Sequence, residues 1–141
     1  LNQIFELLSS KYQIIYIRAK PELKNGYFHD KGDILPLKDY ELIKNKFPQV
    51  KTIYDFISKE SNFNKVQFEI HSSSLKHITV SGGNACISSY FEGEVIIYDN
   101  PNGITREIWG SDSWLNKISG ARIIGFHHYE KIINYIKVNW I

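Results

Sequence analysis

Short apolar segments alternate along this chain with segments whose apolar residues recur at helical spacing. Each short segment has four or five residues and is mainly apolar or β-branched, as is typical of a buried strand. The predicted strands cover residues 13–17, 50–54, 77–80, 95–98 and 122–126.

The segments between these strands have the pattern of amphipathic helices. Apolar residues at positions 1, 4, 5 and 8 follow the i, i+3, i+4, i+7 rule, and the C-terminal segment from Tyr129 to Ile136 repeats it. Asp39 is a candidate cap for a helix that continues through Phe47. The other predicted helices are one capped by Asn62 or Asn64, with Val66 and Ile70 packed down, and a short one from Asn84 through Phe91.

Alternating strands and helices predict an α/β fold of the Rossmann-like, doubly wound class. We expect a mainly parallel five-stranded sheet in the order 2-1-3-4-5, with helices on both faces. This order places a switch point between the first strand, which leads to Arg18, and the third, which leads to Ser81. Open parallel sheets bind ligands at such a point, beyond the carboxyl ends of the strands. Residues 1–141 are expected to form a single domain of this kind.

Gly82 and Gly83, directly after the third strand, are the strongest candidate binding site in the sequence. Two adjacent glycines remove the Cβ atoms that would keep a ligand away from the backbone, and Asn84 is a candidate cap for the next helix. Unpaired N–H groups at a helix start suit a phosphate or a carboxylate. A tight turn without a ligand has the same sequence, so both interpretations are open at this point.

Two irregular segments accompany these elements. Residues 18–37 are rich in Pro, Gly, Asn and Asp without any periodicity, and we expect this connection to lie at the mouth of a site. Residues 99–103 have the composition of a loop.

Composition and charge exclude several classes of protein. Of the 141 residues, 43% are hydrophobic and 23% are charged, as in ordinary globular chains. A net charge of +2 without any basic run argues against nucleic-acid binding. No apolar stretch approaches the roughly 20 residues of a membrane span, so a cytoplasmic location is expected. The single cysteine, Cys86, excludes an internal disulfide.

The sequence carries no motif for a metal or for a common nucleophile. His71, His77 and the pair His127 and His128 do not join cysteines or paired carboxylates at ligand spacing, so neither a metal nor another cofactor is expected. A GxGxxG fingerprint, a P-loop lysine and a nucleophile elbow are also missing. Dehydrogenase, kinase and hydrolase functions are therefore disfavoured.

Several short motifs follow one another from Tyr12 to Ile136. They are Tyr16-Ile17-Arg18, Asp39-Tyr40-Glu41-Leu42-Ile43, Pro48-x-Val50, Asn64-x-x-Gln67, Ser81-Gly82-Gly83-Asn84 and Ser89-Tyr90-Phe91-x-Gly93. In this order and spacing the chain resembles the C-terminal, donor-binding half of GT-B type glycosyltransferases, particularly polysaccharide-assembling enzymes with a Gly-Gly turn after a central strand.

The resemblance implies a site for a nucleotide sugar, the donor that such an enzyme transfers to a glycan or another acceptor. The donor diphosphate would lie near Gly82, Gly83 and Asn84, and the guanidinium of Arg18 would bind two of its oxygens. Glu107 would accept hydrogen bonds from ribose hydroxyls. The further residues implied as substrate-binding are Lys20, Asn64, Gln67 and Ser81.

Structural roles are open for three of these residues. They are, for Arg18, an ion pair with Asp30, Asp33 or Asp39; for Asn64, a helix cap; and for Glu107, a solvated loop charge.

GT-B enzymes work in a cleft between two Rossmann-like domains, and the catalytic base commonly belongs to the N-terminal one. The resemblance therefore implies that this chain is half of a two-domain enzyme, completed by an N-terminal acceptor domain or a partner chain, and poorly active alone. It leaves the catalytic residues unidentified. Two other hypotheses are a small-molecule sensor and a non-catalytic flavodoxin-like binding or interaction domain that uses Trp109, Trp114 and Trp140.

Overall fold

The computed structural model describes residues 1–20, 37–100 and 114–141. They fall into two compact units, the first comprising Leu1–Gln67 with Ile141 and the second Phe68–Trp140. Within these ranges every helix is too short or too polar to cross a membrane.

The first unit contains a small parallel sheet with helices beside it. Its elements are α1 (Asn2–Leu8), β1 (Ile15–Tyr16), α2 (Asp39–Lys46), β2 (Lys51–Thr52), a 3-10 turn (Ile53–Asp55) and the start of α3 (Phe63–Ser72). β1 and β2 pair in parallel, with Ile15 opposite Lys51. Phe5, Ile43, Phe47 and Val50 form the buried core of this unit.

The second unit contains a three-stranded parallel sheet. After the end of α3, its elements are β3 (Lys76–Val80), α4 (Gly83–Ser89), β4 (Glu94–Tyr98), α5 (Trp114–Ser119), β5 (Arg122–Phe126) and α6 (Tyr129–Asn139). The strand order is β3-β4-β5, and the register places Val80, Tyr98 and Phe126 side by side at the carboxyl edge.

Helices cover both faces of this sheet. Val95 and Ile97 of the central strand are fully buried in one cluster with Ala85 of α4 and Leu115 of α5. Side chains alternate between faces along a strand, so Tyr98 points to the opposite face, where its ring stacks on Tyr129 of α6. Each buried Val or Ile contributes about 1.5–3 kcal/mol relative to an exposed position.

The α/β class with parallel strands is confirmed, but the expected five-stranded sheet is not formed. The five strands make two sheets, in the predicted order 2-1 and 3-4-5, without a ladder between β1 and β3 in the described chain. Both strands of the first unit are shorter than predicted, and for β2 a local polar contact explains its end. Thr52 and Asp55 form a capping box that turns the chain into the 3-10 helix directly after β2.

Candidate functional site

The predicted glycine turn lies at the carboxyl end of β3. Gly82 has a φ of 141°, which other residues rarely adopt, and its carbonyl accepts hydrogen bonds from the N–H groups of Ala85 and Cys86 at 3.0 and 3.2 Å. Gly82 is therefore the cap of α4, and the prediction that Asn84 caps this helix is wrong. Apart from the adjacent residues and the backbone of α4, no atom of the described residues would lie within 4 Å of a Cβ atom at Gly82 or Gly83. The backbone of the turn is open to an approaching ligand.

Ser81, Asp99 and His127 follow directly after the three strands of this sheet. The N–H of Ser81 donates to the carbonyl of Tyr98 at 2.9 Å, and the N–H of Asp99 donates to the carbonyl of Phe126 at 2.8 Å. The parallel ladder therefore continues one step past the strand ends. This step brings three polar residues side by side onto the edge where the glycine turn begins.

Asp99 and His127 form a close pair in this row. Asp99 is 1% exposed, and its Oδ2 lies 3.9 Å from Nδ1 of His127. The same Nδ1 lies 2.9 Å from the backbone oxygen of Asp99. No described residue forms a hydrogen bond with the other carboxylate oxygen, Oδ1. A buried carboxylate is costly unless a charge or a donor compensates it, so this pair requires a functional or structural explanation.

An aromatic pair lies at the same edge, on the other face of the sheet. The rings of Tyr98 and Tyr129 are stacked, with centroids 3.9 Å apart and planes at 15°. Partial burial, followed by the charge of Tyr98, raises the pKa of Tyr129. Tyr129 remains 59% exposed, so an aromatic surface is accessible beside the polar row.

Arg18, in the first unit, forms an ion pair with Asp39. Its Nη1 lies 2.9 and 2.7 Å from the two carboxylate oxygens, and the Tyr16 hydroxyl donates to Asp39 at 2.6 Å. Burial alone would raise the pKa of Asp39, but the hydrogen bonds from Tyr16 and Arg18 and the charge of Arg18 outweigh it and lower that pKa. Burial, followed by the hydrogen bond to Asp39, raises the pKa of Tyr16. The ion pair with Asp39, one of the structural roles left open for Arg18 by the sequence, is therefore formed.

Asp39 does not cap α2 as predicted. It is the first residue of the helix and follows Lys38, which occupies the cap position. The carboxylate of Asp39 is instead directed to Arg18 and Tyr16.

Lys20 lies among tyrosines in the same unit. Its Nζ is 4.8 Å from the ring centroid of Tyr40 and 4.4 Å from that of Tyr54, and its backbone N–H donates to the Tyr54 hydroxyl at 2.8 Å. Cation–π contacts of this kind hold the ammonium group by the faces of both rings.

The remaining predicted site residues have separate positions. Asn62 is the cap of α3, because its Oδ1 accepts from the backbone N–H groups of Asn64 and Lys65 at 2.9 and 3.3 Å. The side chain of Asn64 is exposed, and Gln67 is 3% exposed. Glu107 lies outside the described residues. The predicted site residues are divided between the two units. The second unit contains Ser81, Gly82, Gly83 and Asn84, and the first unit contains Arg18, Lys20, Asn64 and Gln67.

Asp99 and His127 are absent from the sequence-based site. Asp99 begins a segment with the composition of a loop, and the sequence around His127 lacks partners at metal-ligand spacing. A usable signal was nevertheless present, since each residue directly follows a predicted strand. The carboxyl ends of neighbouring parallel strands meet at one edge, which is where ligands bind.

Comparison with protein-family models, curated proteins and solved structures gives no match for this chain. Within the described residues, no group of three or more His, Cys, Asp and Glu side chains could hold a metal ion. The functional assignment therefore depends on the geometry of the second unit and on the sequence motifs.

Proposed function

We propose that the second unit binds the diphosphate of a nucleotide sugar at the carboxyl edge of β3, β4 and β5. The chain would then be the donor-binding part of a glycosyltransferase. The position agrees with the general rule for parallel α/β sheets, whose ligands lie beyond the carboxyl ends of the strands. The nucleotide-sugar class comes from the resemblance of the motifs around Ser81-Gly82-Gly83-Asn84.

The observation that carries the proposal is the presence of a glycine at position 83. Gly82 needs its positive φ to make the turn, but Gly83 does not have a positive φ and lies in the first turn of α4. Beyond the adjacent residues and its own helix, a Cβ at Gly83 would meet no atom of the described residues within 4 Å, so the described fold would accept a side chain there. Glycine in a helix costs up to about 1 kcal/mol relative to alanine. A ligand that must approach the backbone explains why a side chain is missing.

The test is the substitution Gly83→Val, which places a branched side chain in the path of the phosphates. We expect the affinity for a nucleoside diphosphate to fall about tenfold or more, equivalent to about 1.4 kcal/mol, while the melting temperature does not fall. Gly83→Ala should give a smaller loss of affinity and an equal or higher melting temperature. Calorimetric titration with a panel of nucleoside diphosphates and thermal unfolding give both quantities.

Cys86→Val is the matched control, because Cys86 is an exposed residue of the same helix. It introduces the same side chain one turn further along, and we expect wild-type affinity. The proposal would be contradicted if the wild-type protein bound no nucleoside diphosphate. It would also be contradicted if Gly83→Val bound nucleoside diphosphate with wild-type affinity.

The tryptophans give little support to the hypothesis of an interaction domain. Trp140 is 6% exposed, and its indole N–H donates to the carboxylate of Glu94, so it is part of the folded core. Trp114 is 54% exposed, and Trp109 lies outside the described residues.

A further inference from the structure

The buried carboxylate of Asp99 faces Nδ1 of the half-exposed ring of His127. We propose that they form a proton-accepting pair, in which Nε2 of His127 takes the proton from the hydroxyl group that attacks the nucleotide sugar. The inference rests on the proposed function. It also differs from what the family resemblance implies, since the base would belong to this chain and not to an N-terminal domain.

The tautomer of His127 follows from its backbone contact. A carbonyl oxygen only accepts hydrogen bonds, so Nδ1, which is 2.9 Å from the carbonyl oxygen of Asp99, carries the proton of the neutral ring. Nε2 then carries the lone pair. The side chain of His127 is 51% exposed, which leaves room for a hydroxyl group to approach the ring.

Asp99 acts through His127. Its side chain is almost completely buried, and its Oδ2 faces the protonated nitrogen of the ring at 3.9 Å. When Nε2 accepts a proton, the ring becomes an imidazolium whose positive charge faces this carboxylate. Because Asp99 is buried and His127 is half-exposed, the attraction is intermediate between its strength in water and its strength in a protein interior. Asp99 is thus a positioning residue that also stabilises the charged ring.

The pair lies on the edge that carries the glycine turn. In the row Ser81, Asp99, His127 each residue belongs to a neighbouring strand, and strands are about 4.8 Å apart, so His127 lies about 10 Å along the row from the start of the turn. The anomeric carbon is bonded to a diphosphate oxygen and therefore stays close to the phosphates at Gly82 and Gly83. The acceptor hydroxyl group and the side chain of His127 would span the rest of this distance.

The proposed step is a balanced substitution. The proton of the acceptor hydroxyl moves to Nε2 of His127, and the acceptor oxygen forms a bond to the anomeric carbon. The bond between that carbon and the diphosphate oxygen breaks, and the nucleoside diphosphate leaves with the electron pair. The imidazolium then returns its proton to water. With water as the acceptor, the products are free sugar and nucleoside diphosphate.

The first experiment measures nucleoside diphosphate release from a panel of nucleotide sugars, with water as the acceptor. We expect release by the wild-type chain and a loss of about 100-fold or more in His127→Gln, as is usual when a general base is removed. His128→Gln is the matched control, because His128 is the adjacent exposed residue and makes no side-chain cap contact with α6. Its release rate should stay within about twofold of the wild type.

The second experiment needs no turnover. Diethyl pyrocarbonate acylates the unprotonated nitrogen of histidine, and mass spectrometry of peptides resolves the two adjacent residues. We expect His127 to react faster than His128, to react more slowly in Asp99→Asn, and to be protected by a nucleoside diphosphate. Asp99→Asn should retain wild-type nucleotide affinity while losing release, which a merely structural role would not produce.

The outcomes separate this inference from the proposed function. A wild-type chain that binds nucleoside diphosphate but releases none from any nucleotide sugar overturns the proton-accepting pair and leaves the binding site standing. Equal acylation of His127 and His128 in wild type and Asp99→Asn also overturns it. If Asp99→Asn does not fold, the comparison of His127→Gln with His128→Gln decides alone. A wild type that binds no nucleotide removes both proposals.

Discussion

At the scale of single residues, Gly93 is the described glycine at which a side chain is least acceptable. Its φ is 113°, and a Cβ atom there would lie 2.4 Å from the backbone oxygen of Leu75. The same oxygen accepts the N–H of Glu94 at 2.8 Å, and the carbonyl of Gly93 accepts the N–H of Arg122 at 2.7 Å. The start of the three-stranded sheet is therefore built around this close approach.

Gly93→Ala should lower the free energy of unfolding by about 3 kcal/mol or more, because a strained φ and a backbone clash act together. Urea denaturation measures the change. Gly83→Ala is the control and should be at least as stable as the wild type, since neither condition holds at that position. Equal losses in both variants would contradict this account of the two glycines.

At the scale of elements, a buried histidine pair connects the end of α3 to β3. Nδ1 of His71 lies 3.4 Å from Nδ1 of His77, and Nε2 of His77 lies 3.0 Å from the carbonyl of Ser74. The carbonyl must accept, so Nε2 of His77 carries the proton and its Nδ1 accepts from His71. Nε2 of His71 is then an unprotonated, buried nitrogen without a hydrogen-bond partner among the described residues.

This pair predicts a loss of stability in acid. Burial, followed by the charge of the other ring, lowers the pKa of His71 to about 4, and burial lowers the pKa of His77. Unfolded histidines titrate near 6.5, so below that pH the unfolded chain binds more protons than the folded one. The free energy of unfolding should therefore be highest above about pH 6.5 and decline towards pH 4.

Denaturation curves of the wild type and His71→Phe between pH 7 and pH 4 would test this prediction. Carboxylates contribute similarly to both proteins, so the variant should show a shallower decline with pH. Parallel curves for the two proteins would exclude the histidine pair as the cause.

At the scale of the whole molecule, the sequence predicted the second unit better than the first. The strand predicted over residues 122–126 coincides with β5, because a continuous apolar segment between turns needs no further information. In the first unit, Asp39 binds Arg18 and Tyr16, about 20 positions away, and the adjoining strand is reduced to two residues. Hydrophobic periodicity carries no information about such polar partners.

The candidate site divides in the same way. Gly82 and Gly83 were recognisable because a Gly-Gly pair directly after an apolar run is a local signal. Asp99 and His127 are 28 positions apart and become neighbours only through the register of two strands. That register follows from the packing of the sheet and could not be assigned from composition or motif spacing.

Substitution of Arg18 would show whether the first unit contributes to nucleotide binding. The family resemblance implies that Arg18→Lys weakens nucleoside diphosphate binding several-fold, whereas the partly buried pair with Asp39 favours a structural role. We expect Arg18→Lys to lower stability by about 1–2 kcal/mol, because lysine cannot reproduce the guanidinium contacts, and to leave the ratio of nucleoside diphosphate to nucleoside affinity unchanged.

Arg122→Lys is the matched control for this comparison. Arg122 pairs with Glu94 at 3.0 Å, but its side chain is 67% exposed, so the substitution should change stability little. Calorimetry with both ligands and thermal unfolding cover the two variants. A selective loss of nucleoside diphosphate affinity in Arg18→Lys would instead assign Arg18 to the ligand site.

The position of Cys86 gives the chain a built-in attachment point for a reporter dye. It is the only cysteine of the sequence, it is exposed, and it lies one helical turn from Gly83, where side chains three positions apart are about 5–6 Å from each other. A thiol-reactive, environment-sensitive fluorophore would therefore label one known place without any mutagenesis. A change in the emission of such a conjugate would report the binding of a compound near this turn. A chemical library could therefore be screened for ligands by fluorescence.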